Sequence, residues 1–94
     1  PDKRRPVLIL TRDSALSHVT SVTVAPLTST IRGIPTEVIL TSDDGVQTAC
    51  AVNVDNIQTV SQSNLSTFIT HLSPNKIREV CLAIAFALGF DAKV

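Results

Sequence analysis

Short apolar runs separated by turn residues fill the first sixty positions, and a single helical period closes the chain. Arg5-Pro6-Val7-Leu8-Ile9-Leu10-Thr11 is apolar and partly β-branched, which predicts a buried strand. Pro6 stands at its start, where a missing N–H is tolerated. Arg12-Asp13-Ser14 reads as a turn, with a brief helical turn over Ser14 to His18. Thr20 to Leu27 alternates small polar with apolar residues and predicts a half-buried strand that Pro26 ends or confines to an edge. Thr28 to Pro35 is a loop punctuated by Gly33 and Pro35, and Thr36 to Leu40 is the next strand. Ser42-Asp43-Asp44-Gly45 is a strong turn. Thr48 to Val52 and Asn56 to Val60 are strand-like, and Asn64 to Leu72 reads as loop and then strand.

The helix signal has both of its ends. Ser73 is an N-cap residue, Pro74 takes the first helical position, and Gly89 is the stop. Ile77, Val80, Cys81, Ile84 and Leu88 recur at spacings of three and four and predict the buried stripe. Phe90 is expected to fold back onto the strands. Short strands with tight turns and one C-terminal helix describe a mainly β fold, a small barrel capped by a helix.

Composition narrows the class without naming a function. The chain has 94 residues, 44% hydrophobic and 17% charged, which fits one globular domain over 1–94. The longest apolar run, Cys81 to Leu88, is far short of the ~20 residues that span a bilayer. Pro-Asp-Lys-Arg-Arg leads directly into the first strand and does not have the pattern of a secretory signal. Two Cys and two His make no recognised zinc spacing, so no metal site is expected. Cys50 and Cys81 read as small core residues of a protein in a reducing cytoplasm. With no Tyr or Trp and three Phe, base-stacking platforms are nearly excluded.

Eight basic and eight acidic residues cancel, but not locally. Lys3, Arg4, Arg5, Arg12 and Arg32 outnumber Asp2 and Asp13 up to Thr36, whereas Glu37 to Val60 holds only acids. Such a segment is either a solvated surface or an arginine-lined groove for phosphates, whose oxygens match the planar guanidinium fork.

Four stretches in register carry a resemblance: Arg-Arg-Pro-Val-Leu-Ile-Leu-Thr (4–11), Val-Ala-Pro-Leu-Thr-Ser-Thr (24–30), Gly-Ile-Pro-Thr-Glu-Val (33–38) and Val-Asp-Asn-Ile-Gln-Thr-Val (54–60), ahead of Leu-Ser-Pro and the helix. In this order they resemble the MazF/PemK toxins of bacterial toxin–antitoxin pairs, especially the compact mycobacterial-type members, over essentially the whole chain. Members usually open with a strand reading Arg-Gly-Glu-Ile-Trp before the loop to the Arg-Pro pair. This sequence starts inside that loop: either the member is short, or an N-terminal stretch stands ahead of Pro1, and if the strand is absent one barrel edge lies open and the RNA groove loses part of its wall.

The resemblance implies an SH3-like barrel of the MazF/CcdB/Kid type and a homodimer with RNA crossing the dimer face. It also implies inhibition by a MazE-like antitoxin that lays a disordered segment on that face. The implied activity is sequence-selective, metal-independent and cofactor-free cleavage of single-stranded RNA, whether messenger, ribosomal or transfer RNA. The substrate's 2′-hydroxyl attacks, leaving 2′,3′-cyclic phosphate and 5′-hydroxyl ends.

Such an attack needs a base at the hydroxyl, donors on the phosphorane oxygens and an acid at the leaving oxygen. The family arginine of the Arg-Pro pair falls on Arg5, and the threonine after Ala-Pro-x falls on Thr28. By themselves these residues read first as a surface ion-pair arginine and a turn-satisfying hydroxyl, and the resemblance reverses that order. Ser29, Thr30 and Arg32 follow in the loop as candidate RNA contacts. Asp55 and Asn56 match the family pair ahead of the last strand, to read a base edge or to pin a turn. Lys3 and Arg4 add phosphate attraction. His18 and His71 lie outside the pattern and read as structural or exposed.

Two further readings differ in class: a gyrase-poisoning toxin of the CcdB type, and a noncatalytic antitoxin-binding module. Leu82, Ala85 and Phe86 form a second apolar helix face, expected to pack against a partner subunit, an antitoxin or the missing strand.

Overall fold

The computed structural model describes residues 5–89. The element order is β1 (Val7–Ile9), α1 (Asp13–Leu16), β2 (Ser21–Thr28), β3 (Glu37–Leu40), β4 (Cys50–Asn53), β5 (Gln58–Ser61) and α2 (Pro74–Leu88), with 3₁₀ turns at Ser42–Asp44, Val54–Asn56 and Gln62–Asn64. All five strands pair antiparallel, in the path β1-β2-β4-β3 with β5 also on β2. The mainly β class with a C-terminal helix is as expected. Among the described residues, however, the ladder does not close: β1 pairs only with β2, and β3 only with β4. The core is instead covered by α2, which packs on β3 and the Val54–Asn56 turn.

Pro26 does not end its strand. Ser21 to Val24 pair with β5, and Leu27 and Thr28 pair with β4. The Leu27 N–H donates to the Pro6 carbonyl (3.1 Å), so alternation turns the nitrogen of Pro26 toward the opposite side of β2. There it falls between the β5-paired and β4-paired segments, where no ladder bond is needed. The expected strand within Asn64–Leu72 is absent: beyond the 3₁₀ turn this stretch is irregular, with Phe68 and Ile69 exposed. Gln62 takes up part of the connection, its side-chain amide donating to the Leu16 and Val19 carbonyls (3.0 and 2.8 Å).

One face of the sheet carries Ala25, Val38, Leu40 and Val52, which cluster with Val54, Val80 and Ala83. The helix begins where the sequence places it. The Ser73 hydroxyl accepts the Lys76 N–H (3.2 Å), and Gly89 closes the last turn. Lys76 Nζ also donates to the Ile39 carbonyl (3.1 Å) and lies 3.9 Å from Asp44, which ties the helix start to β3.

The buried stripe differs from the expected one. Val80 and Ala83 are buried, with Ile84 and Ala87 packed beside them, while Ile77, Cys81 and Leu88 are exposed. Ala83 and Ala87 thus turn toward the core, and the larger Ile77 and Leu88 turn outward. Cys81 is therefore a surface thiol and not a core residue. Cys50 is half-buried, and burial, reinforced by Asp44, pushes its thiol pKa up. Leu82 and Phe86 are exposed and Ala85 is half-buried. Phe90 lies outside the described residues.

Gly45 and Gly33 hold positive φ, +97° and +68°. A Cβ on Gly45 would overlap the Thr70 side chain, whereas a Cβ on Gly33 would meet open space. Gly33→Ala is therefore expected to cost about 1–2 kcal/mol, the left-handed penalty alone. Gly45→Ala should cost more in urea unfolding, and Asn should recover stability at position 33 but not at 45.

Candidate functional site

Strand register brings the first two candidate residues together. The pairs Ile9↔Val24, Leu8↔Ala25 and Val7↔Pro26 end the ladder, and the Leu27-to-Pro6 hydrogen bond extends its register by one residue. Arg5 precedes β1 next to this end, and the same register carried one residue further puts it opposite Thr28. Leu10 N–H donates to Thr23 O (2.8 Å), and Pro6–Leu27 is a bonded pair of the same ladder. Alternation would make a pair at that position a non-hydrogen-bonded one, the kind whose side chains lie closest. Thr28 is also paired with Ala51, and Ala51 with Ile39. Because Leu27, Val52 and Val38 of the adjacent row face the core, the Thr28 row faces away from α2.

Arg5 is exposed and Thr28 half-buried. Thr28 Oγ1 accepts the Thr30 N–H (3.1 Å). That bond occupies one lone pair and leaves the hydroxyl proton to be directed elsewhere. It also fixes the start of the loop, so that Ser29 and Thr30 project as exposed residues just beyond the Arg5–Thr28 pair.

Glu37, whose role the sequence reading did not identify, governs the rest of the loop. Its side chain is fully buried, 0% exposed. Oε1 accepts the Arg32 and Gly33 N–H groups (2.9 and 3.1 Å), and Oε2 accepts Arg32 Nε (3.3 Å). The Arg32 N–H is the foremost reason that the Glu37 carboxyl is held below its ordinary value; burial opposes it, and the Arg32 side chain and Gly33 N–H act with it. Two successive N–H groups, of Arg32 and Gly33, thus converge on one oxygen. The available signal was an acid at a strand start, five residues after Arg32 across a Gly–Pro loop.

A second tie holds the end of the loop. Thr36 Oγ1 donates to Asp55 Oδ2 (2.6 Å), and the Asp55 N–H donates to Asn53 Oδ1 (2.9 Å). The Asp55 carboxylate thus ties the Val54–Asn56 turn to the loop end at Thr36. Asn56 is exposed at the end of the same turn. Lys3 and Arg4 lie outside the described residues. His18 is exposed after α1, and His71 packs against Phe68 in a tilted arrangement, ring centroids 4.7 Å apart and planes at 56°. Among the described residues no three His, Cys, Asp or Glu side chains group as metal ligands, and no helix is long and apolar enough to cross a membrane.

A carboxylate held ionised by these bonds stabilises the fold fully above the ordinary value of 4.5, and loses that contribution as pH falls through its lower folded value. The stability difference between the wild type and Glu37→Gln is therefore expected to be constant near neutrality and to shrink below about pH 4.5. Denaturant unfolding across pH checks this; a difference that grew on acidification would contradict it.

Comparison with known proteins adds independent findings. A family model described as PemK-like, MazF-like toxin of type II toxin–antitoxin system matches residues 1–88. Endoribonuclease MazF3 of Mycobacterium tuberculosis is 43% identical over 90 residues, covering 96% of this chain and 85% of the relative. The structure of Mycobacterium tuberculosis toxin MazF-mt6 superposes with a TM-score of 0.88 at 40% identity, covering 100% of this chain and 93% of that one. A mycobacterial endoribonuclease solved in complex with its cognate antitoxin superposes at 0.83 with 30% identity, covering 95% and 84%. The four sequence stretches, the antiparallel sheet with its C-terminal helix and these matches agree, and the chain belongs to the PemK-like, MazF-like toxins of type II toxin–antitoxin systems.

Proposed function

We propose that this chain is the endoribonuclease toxin of such a system, cutting single-stranded RNA at selected sequences without a metal or other cofactor and inhibited by a cognate MazE-like antitoxin. The observation that carries the reading is the register that sets Arg5 across from Thr28 on the face away from α2.

In this reading the substrate's 2′-oxygen attacks the adjacent phosphorus, the P–O5′ bond breaks, and the 5′-oxygen gains a proton as the 2′-hydroxyl loses one. The products are a 2′,3′-cyclic phosphate and a 5′-hydroxyl. Arg5 neutralises the phosphorane oxygens as charge builds on them. Its guanidinium offers N–H donors and no acceptor, so it serves as a charge stabiliser and proton donor and is poorly suited to be the base. The Thr28 hydroxyl, with one lone pair committed to the Thr30 N–H, donates to a phosphate oxygen and orients the 2′-hydroxyl. Ser29, Thr30, Arg32 and Asn56 contact the flanking nucleotides, Lys3 and Arg4 add phosphate attraction, and Asp55 contributes through Thr36.

A homodimer is part of the same reading. From Val80 to Leu88 no side chain is polar apart from the thiol of Cys81, and a helix apolar all round belongs in an interior. Leu82 and Phe86 nevertheless stand 66% and 63% exposed, beside a groove of about 330 Å³ lined by Pro35, Glu37, Val38 and Glu79. Covering this face with a second copy removes it from water.

Incubation with a long defined RNA in excess chelator is expected to give cuts at a short repeated sequence with 5′-hydroxyl ends. Arg5→Ala should lower the rate by about 10²–10³-fold, the usual loss of one oxyanion donor. Thr28→Val should be impaired and Thr28→Ser largely active. An uncut RNA, with supercoiling by gyrase inhibited, would move the chain to the CcdB-type class. In sedimentation equilibrium the wild type should be a dimer and the double variant Leu82→Glu/Phe86→Glu a folded monomer. A dimer that persists would assign this face to the antitoxin.

A further inference from the structure

We infer that Glu37 is a positioning residue that sets cleavage selectivity, by fixing Arg32 and the Thr28-to-Thr36 loop at a set displacement from the Arg5–Thr28 pair. The inference rests on the ribonuclease reading above and deepens it.

Every donor on the buried Glu37 carboxylate comes from the loop: the two backbone N–H groups and Arg32 Nε. The guanidinium is engaged through Nε alone, while its side chain remains 56% exposed. The carboxylate thus fixes the plane of the fork and leaves its Nη1–Nη2 edge for a ligand, the edge that matches a phosphate or a paired acceptor on a base. The loop is fixed at both ends, by the Thr28–Thr30 bond and by the Thr36–Asp55 bond. Arg32 therefore cannot drift relative to the reacting residues without breaking a buried contact. Selective cutting requires that constraint, because a reader that moves relative to the cutter accepts neighbouring phosphates.

Charge separates this role from simple attraction. Paired with Glu37, Arg32 adds little net positive charge to the loop, so its contribution is directional. Removing the carboxylate frees a cation: affinity for RNA in general is maintained or rises while discrimination falls. A purely structural role gives the opposite pattern, in which cleavage at all sites weakens together.

The test is cleavage of two RNAs by the full chain, one carrying the preferred motif and one a single-base variant of it, with thermal melts in parallel. Glu37→Gln is expected to lower the ratio of the two kcat/KM values about tenfold, the scale of one charge-assisted hydrogen bond, with no loss of affinity for unselected RNA. Arg32→Ala should lower the ratio equally, and the double variant should lower it no further, since both act through one contact. Arg32→Lys keeps the charge and the backbone bonds but lacks the fork, and should lose selectivity with a normal melt; it carries the test should Glu37→Gln fold poorly. An unchanged ratio in Arg32→Lys and Glu37→Gln, with the wild type cutting normally, overturns the role of Glu37 alone. A wild type that cuts neither RNA overturns the ribonuclease reading and this inference with it.

Discussion

The buried carboxylate of Glu37 is the constraint on which the site's geometry depends. A carboxylate removed from water is costly unless donors replace its hydration, and here three N–H groups do so. All three come from the loop that begins at Thr28. Satisfying Glu37 therefore requires folding that loop, and the order of the loop follows from the burial of the acid. Asn53, opposite Glu37 in the β3–β4 ladder, extends the arrangement to Asp55 and through it to Thr36. Polar groups at one end of the sheet thus make up a connected framework.

The two faces of the sheet have separate tasks. One is closed by Val80 and Ala83 of α2 against Val38, Leu40 and Val52. The other carries Thr28 and, across from it, Arg5. β2 serves both faces and changes partner along its length, and Pro26 sits at the change, where its missing N–H costs no ladder bond. A long strand shared by two partners fixes Thr28 relative to β1 and β4 together. A side chain carried on a strand is held more rigidly than one on a loop tip, and Thr28 is the last residue of β2.

Much of the fold was legible along the chain because its signals are local. Ser73, Pro74 and Gly89 mark the helix through hydroxyl capping, fixed φ and a left-handed stop, all properties of single residues. The strand positions followed from runs and turns. The helix stripe was judged only in part, for a nonlocal reason: in a helix apolar nearly all round, spacing does not say which residues the sheet meets, so Val80 and Ile84 pack on the core as expected while Ala83 and Ala87 stand there in place of Ile77 and Leu88. The strand expected before the helix failed likewise, since Leu65, Phe68 and Ile69 had apolar character but no partner strand.

The sequence by itself determined the family, the antiparallel class with its C-terminal helix, and Arg5 and Thr28 as a candidate pair, because short motifs and local periodicity survive in one dimension. Tertiary structure alone decided which residues meet. The register that sets Arg5 across from Thr28 links positions far apart in the chain. Glu37 acquires its role only when burial deprives its carboxylate of water and the loop supplies the replacement donors. Desolvation depends on everything packed around a group, and for that reason the most consequential acid in this chain read, in sequence, as one of several surface charges.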